Sequence, residues 1–72
     1  MDKITFKVLS DGTQSWYKNG EFHRDDGPAV IWNNGSQLWY KDGILCRENG
    51  PAVIYKDGTQ HWIKNGEFQW MK

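Results

Sequence analysis

The chain predicts an all-β fold, a single antiparallel sheet of hairpins written as three 23-residue repeats, and three observations lead there. First, a phrase recurs at a fixed period. Residues 27–49 read GPAVIWNNGSQLWYKDGILCREN, residues 50–72 read GPAVIYKDGTQHWIKNGEFQWMK, and residues 4–26, ITFKVLSDGTQSWYKNGEFHRDD, fit the same frame. The second and third copies share ten identities, the first and third ten, and the first and second seven. A period of this size marks a repeat architecture, in which each unit buries its apolar surface against its neighbours. Second, Asn-Gly or Asp-Gly occurs at 11–12, 19–20, 34–35, 42–43, 49–50, 57–58 and 65–66. Both central residues of a type I′ turn need positive φ, which Gly supplies freely and Asn or Asp tolerates, so these pairs signal hairpins. Third, the intervening runs AVIW, QLWYK and AVIY are rich in β-branched and aromatic residues, which favours strands.

Two-residue turns fix an expected register. Around Asn34-Gly35, Ile31 faces Leu38, Val30 faces Trp39 and Ala29 faces Tyr40. Around Asp42-Gly43, Tyr40 faces Leu45 and Trp39 faces Cys46. Side chains alternate between faces with period two. One face then carries Ala29, Ile31, Leu38, Tyr40 and Leu45, and the other carries Val30, Trp32, Gln37, Trp39 and Cys46. By repetition Trp16, Trp39 and Trp62 are equivalent, as are Phe22, Leu45 and Phe68. Gly27-Pro28 and Gly50-Pro51 punctuate the joins, where a strand's first residue needs no ladder donor. Three paired strands per unit would reverse each successive unit, so segments 21–26 and 44–49 are expected to act mainly as return connections.

The 72 residues make one domain, with units 4–26, 27–49 and 50–72. A chain this short buries only roughly 60% of its unfolded surface. Eleven aliphatic Val, Leu and Ile residues are matched by eleven aromatics (five Trp, three Tyr, three Phe), so the rings must carry about half the core. Nine basic and nine acidic residues cancel, which removes any field that would steer the chain to nucleic acid. The single Cys46 excludes an intramolecular disulfide and suits a reducing compartment. No apolar run reaches the length of a signal peptide's core or a membrane span. A soluble cytoplasmic protein that binds neither nucleic acid nor membrane is the expectation.

The 23-residue period and the aromatic-Lys-Asn/Asp-Gly core (WYKNG, WYKDG, WIKNG) resemble the MORN-like repeats. The phrase WYKNG…HR.DGPAVI is similar to the variant carried by small bacterial and bacteriophage proteins. The resemblance covers residues 4–72 and departs from the common pattern in opening on Gly-Pro-Ala-Val-Ile, which leaves lipid binding unsupported. It implies an elongated, curved antiparallel sheet acting as a scaffold or recognition surface.

The ladder of Trp16, Trp39 and Trp62 admits two readings. Stacked indoles hold a nucleobase or a partner's aromatic ring, at on the order of 1–3 kcal/mol per base; alternatively they are the core, with Trp39 of the middle unit the most buried. His23-Arg24-Asp25 lacks the Asn that a kinase catalytic loop places five residues after the Asp, where Val30 stands. It and Cys46-Arg47-Glu48 read as connections whose Arg is solvated or paired to a carboxylate. His23, His61 and Cys46 show no metal-ligand spacing, no nucleophile–base set is visible, and no cofactor is expected.

Large apolar residues on both faces call for a second layer that the chain itself is too short to supply. The expected function is therefore a non-enzymatic protein-binding module, a bacteriophage accessory protein that inhibits a bacterial defence protein. The residues expected to meet that partner are Arg24, Trp32, Trp39, Tyr40, Arg47 and Tyr55. A nucleotide sponge using the Trp ladder, and a purely structural scaffold, are the alternatives. Where units one and two have Arg24-Asp25 and Arg47-Glu48, unit three has Trp70-Met71. With Phe68, these residues predict a homodimer joined through the third unit, since aromatics and Met are enriched at interface cores. Restoring the repeat's own residues (Trp70→Arg with Met71→Glu) is expected to shift a dimer to monomer without unfolding. Analytical ultracentrifugation checks this; a parent already monomeric at tens of micromolar refutes it.

Overall fold

The computed structural model describes residues 2–64 and 67–69, and among these there are ten strands and no helix. They are β1 (Ile4–Val8), β2 (Gln14–Lys18), β3 (Glu21–Phe22), β4 (Val30–Ile31), β5 (Gln37–Leu38), β6 (Tyr40–Lys41), β7 (Ile44–Leu45), β8 (Val53–Ile54), β9 (Gln60–Lys64) and β10 (Glu67–Gln69). All pairings are antiparallel, so the chain is all-β.

The Asn/Asp-Gly pairs turn the chain in two distinct ways. Asn19-Gly20 and Asp42-Gly43 have positive φ at both residues (53° and 84°, 52° and 79°). They are the two-residue type I′ turns the sequence predicts. They join β2 to β3 with Tyr17 opposite Phe22, and β6 to β7 with Tyr40 opposite Leu45. At 11–12, 34–35 and 57–58 only the glycine is positive, at 93° in each case. There the loop has three residues, a type I turn followed by a left-handed glycine. At the middle one, Gly35 N donates to Trp32 O (2.9 Å) and Trp32 N to Ser36 O (2.8 Å). The Asn34 side chain selects this form, because its Oδ1 accepts the Ser36 N–H at 2.9 Å. Asp11 and Asp57 do the same for Thr13 and Thr59. Asn49-Gly50 closes no hairpin, and Asn65-Gly66 lies outside the described residues.

The extra turn residue shifts the expected register by one. Val30, not Ile31, stands opposite Leu38, and Ile31 stands opposite Gln37. A one-residue slip sends a strand's side chains to the other face, so the expected grouping of Ile31 with Leu38 is overturned. Two rows result. Ser15, Val30, Leu38, Val53 and His61 run across one face; Val8, Gln14, Ile31, Gln37, Ile54 and Gln60 run across the other. The core sits on the first. Val30, Leu38, Ala52, Val53 and Ile63, none more than 9% exposed, form its centre, with Phe22, Tyr40, Leu45 and Tyr55 packed against them. Tyr17, Phe22 and Tyr40 continue this face as a ladder with ring centroids 5.0 Å apart at each step. Trp16, Trp39 and Trp62 are only half-buried and belong to no part of that centre. The indoles are not the core, and Trp39 is not singled out by burial.

The parity of the strands resolves through the tryptophans. β3 and β4 lie end to end along the same edge of β2, pairing with its residues 17–18 and 14–15 respectively. Between them Trp16 bridges the gap: its carbonyl accepts the His23 N–H (3.0 Å) and its N–H donates to Ala29 O (2.8 Å). Arg24 N–H still donates to Tyr40 O on the next line (3.3 Å), and residues 25–28 are looped out of the ladder. Trp39 repeats the arrangement with Cys46 (3.0 Å) and Ala52 (2.8 Å); Arg47 N–H donates to Ile63 O (3.0 Å), and residues 48–51 are looped out. The third segment of a unit and the first strand of the next are thus one interrupted line, and each unit advances by two lines. Segments 21–22 and 44–45 are paired strands, not mere returns. Ala29 and Ala52 are fully buried at these splices.

Cross-unit bonds complete the slab, whose Cα atoms span 39 × 28 × 16 Å. Ser36, 1% exposed, accepts the Lys56 N–H on its Oγ. His23, 5% exposed, accepts the Asp42 N–H on Nδ1 at 2.9 Å, which places its ring proton on Nε2, 2.9 Å from Asp25 Oδ1.

Two outcomes follow for stability. Leu38→Ala leaves a void at the core's centre and is expected to lower unfolding free energy by about 2–5 kcal/mol. Ile44→Ala, at a side chain 53% exposed, stays within about 0.5 kcal/mol. Urea denaturation compares them, and similar losses would refute the core assignment. The second outcome concerns acid. Backbone N–H donation from Thr13 and Thr59 holds the Asp11 and Asp57 carboxyls below the ordinary 3.8. A depressed native value means that the unfolded chain binds more protons in that window. The stabilisation is present above the ordinary value and is lost as pH falls through the native one. Asn34 makes the same bond without titrating, so Asp11→Asn with Asp57→Asn is expected to flatten the acid limb of urea midpoint against pH. An unchanged acid limb overturns the assignment.

Candidate functional site

At the head of each looped-out segment an arginine folds back onto the tryptophan that the segment bypasses. Arg24 Cζ lies 3.8 Å from the centroid of the Trp16 ring, and Arg47 Cζ lies 4.0 Å from that of Trp39. A guanidinium at this distance is attracted by the ring's negative face and stacks on it. In both loops Nη1 also donates to the proline carbonyl four residues on, Pro28 O at 3.2 Å and Pro51 O at 3.1 Å. The glycine before each proline makes room. A Cβ on Gly27 would come within 3.1 Å of Arg24 Cζ, and one on Gly50 within 2.9 Å of Arg47 Cζ. Neither glycine has positive φ, so it is close approach, not backbone conformation, that calls for Gly.

The sequence signal for this clamp is Trp-x7-Arg-x2-Gly, present at 16–24–27 and 39–47–50. Taking the arginines as solvated connections missed it. The expectation that they pair with a carboxylate holds for Arg24, whose Nε donates to Asp26 Oδ1 at 3.1 Å. Among the described residues it does not hold for Arg47, where Asn49 occupies the position of Asp26. In unit three the arginine position is Trp70, outside the described residues.

The two successive loops border an open groove of about 580 Å³. One wall is Arg24 to Pro28; the other is Trp39 to Lys41 with Cys46 to Asn49. The volume is that of an ordinary ligand or peptide-side-chain site. Four of the six expected partner residues meet here: Arg24, Trp39, Tyr40 and Arg47. Tyr40 serves twice, since its ring also packs against the core. Trp32 and Tyr55 do not join them. They stand beside the three-residue turns with ring centroids 6.3 Å apart, and Tyr55 packs edge-on to His61 at 5.5 Å. Lys41, Asp25 and Glu48 also line the groove, and no motif in the sequence points to them.

The indole faces turned toward the loops are covered by guanidinium, so a base stacking there must displace an arginine. Among the described residues no three His, Cys, Asp or Glu side chains come together, and Cys46 is a free thiol. Phe68 is described only in its backbone pairing with Ile63, and Trp70 and Met71 fall outside the described residues.

No family model matches the chain, and no solved structure matches it. A stretch of 31 residues is 52% identical to part of an uncharacterized protein of Acanthamoeba polyphaga mimivirus. It covers 42% of this chain and 8% of that protein, so the chain spans less than a tenth of its relative's length. At 31 residues the similarity reaches past a single 23-residue unit.

Proposed function

We propose that the chain is a non-enzymatic binding module of the MORN-like kind, which seats a segment of a protein partner in the groove between the 24–28 and 47–51 loops. The observation that carries this reading is the convergence of two Trp-stacked arginines and Tyr40 on one open groove of about 580 Å³. Arg, Trp and Tyr are the side chains that dominate binding energy at protein interfaces. Here they are held in place before any partner arrives, which lowers the ordering cost of association. The role is that of an accessory protein acting by occupation: it inhibits a bacterial protein, a defence component foremost, by covering its surface. Partial similarity to a viral protein supports the viral side of this reading. The covered indole faces weigh against a nucleotide sponge.

The test uses the full chain as bait against bacterial lysate, followed by gel filtration of the purified pair. Lys41→Glu alters an exposed groove residue, whereas Lys56→Glu alters an exposed turn away from the groove. A stoichiometric complex lost in the first variant and kept in the second, with the partner's activity suppressed by the parent chain, is expected. A complex indifferent to the groove substitution refutes the reading.

A further inference from the structure

The geometry points to Arg47 as a carboxylate-recognition point, one that takes an Asp or Glu side chain of an acidic peptide segment lying in the groove. This inference rests on the groove being the partner's seat and names the chemistry that the seat reads. Two copies of one device differ in a single respect. In unit one the guanidinium stacked on Trp16 donates through Nη1 to Pro28 O and through Nε to the Asp26 carboxylate. In unit two the guanidinium stacked on Trp39 donates through Nη1 to Pro51 O, and Asn49 replaces the aspartate. Among the described residues no carboxylate lies within ion-pair distance of Arg47. Arg24 with Asp26 therefore displays, inside the molecule, the ligand that this guanidinium position accepts.

Arg47 is half-buried and held by ring, carbonyl and glycine, so its Nε edge is oriented in advance. Charge-assisted bonds from such a fork to a planar carboxylate are strong and directional. Lys41 lines the same groove with no carboxylate partner among the described residues. Of the three acidic residues that line the groove, Asp26 is engaged by Arg24 and Asp25 by His23 Nε2, while Glu48, beside Arg47, makes no ion pair among the described residues. The lining is formally neutral like the protein as a whole, yet Arg47 and Lys41 stand without an ion-pair partner among the described residues and are open to an incoming carboxylate.

The experiment is an NMR titration of the full ¹⁵N-labelled chain with a tetraglutamate peptide blocked at both ends, so that only side-chain carboxylates are presented. The Arg47 Nε–H and Trp39 indole N–H signals are expected to shift saturably while Arg24 Nε–H stays still. Asn49→Asp supplies the internal carboxylate and should weaken binding about tenfold, the scale of one charge-assisted bond near a surface. Asp26→Asn should bring Arg24 into the response. Gly50→Ala dislodges the Arg47 guanidinium without changing charge and should also abolish the shift, which keeps the test decisive if Asn49→Asp does not fold. Silence of Arg47, an undiminished shift in Asn49→Asp, or an Arg24 that stays silent in Asp26→Asn each overturns the inference. So does a response to inorganic phosphate alone, which would assign the point to a phosphate. If partner capture survives Asn49→Asp but not Lys41→Glu, the groove reading stands and the carboxylate inference falls. If the peptide binds Arg47 but no groove substitution affects capture, the reverse holds.

Discussion

The structure depends on what the backbone of one tryptophan per unit does. Trp16 and Trp39 each give their carbonyl to the end of one short strand and their N–H to the start of the next unit. Without that splice, three short strands per unit would alternate direction and could not repeat by translation. With it, a unit contributes two full lines to the sheet and the next unit begins in the same orientation. An unpaired backbone group in this position would cost on the order of 1–3 kcal/mol, and the splice pairs both the N–H and the carbonyl of the tryptophan while ejecting four residues from the ladder. Both the full burial of Ala29 and Ala52 and the location of the loops follow from it.

From the splice to the groove the steps are local. Ejected residues must go somewhere, and the nearest surface is the indole they bypass. An arginine at the start of the loop can lie flat on that ring, a proline carbonyl can receive its Nη1, and a glycine can leave the space that the guanidinium fills. Two such loops, two sheet lines apart, have a trough between them. The site is therefore a by-product of how the repeat closes, built from residues whose first duty is structural. That is why Arg24, Trp39, Tyr40 and Arg47 are half-buried.

Much of this was legible in the sequence, and the misses have identifiable causes. The period, the all-β class and the type I′ turns at Asn19-Gly20 and Asp42-Gly43 could be read directly, because a left-handed Asn or Asp before Gly leaves few options. The same dipeptide at 34–35 hid a different turn. Its deciding feature is the next residue, since Ser36 or Thr at that place offers an N–H that the Asn or Asp side chain can bind, and the one-residue difference moved Ile31 to the other face. The core reading of the tryptophans, one of two that the sequence offers, rests on one large residue recurring in every unit. Their spacing to arginine and glycine, constant in two units, carried the contrary information. Arg24, Trp39, Tyr40 and Arg47 were found as separate candidates, but their convergence could not be seen while the third segments were read as simple returns. Trp32 and Tyr55 were chosen for their rings, and they belong instead to the turn end of the sheet.

The two-line advance also sets a length. Neighbouring lines of a sheet are about 4.8 Å apart, so equivalent points of successive units are separated by roughly 9.6 Å across the strands. Three residues of polyproline II helix, one full turn, rise by about 9.3 Å. A segment in that conformation laid at right angles to the strands therefore presents every third side chain to the same place in each unit. Because the looped-out residues take no part in the ladder, what stands at each of those places can change, in identity or in number, while the spacing between them does not: the sheet is a ruler, and the loops are its marks.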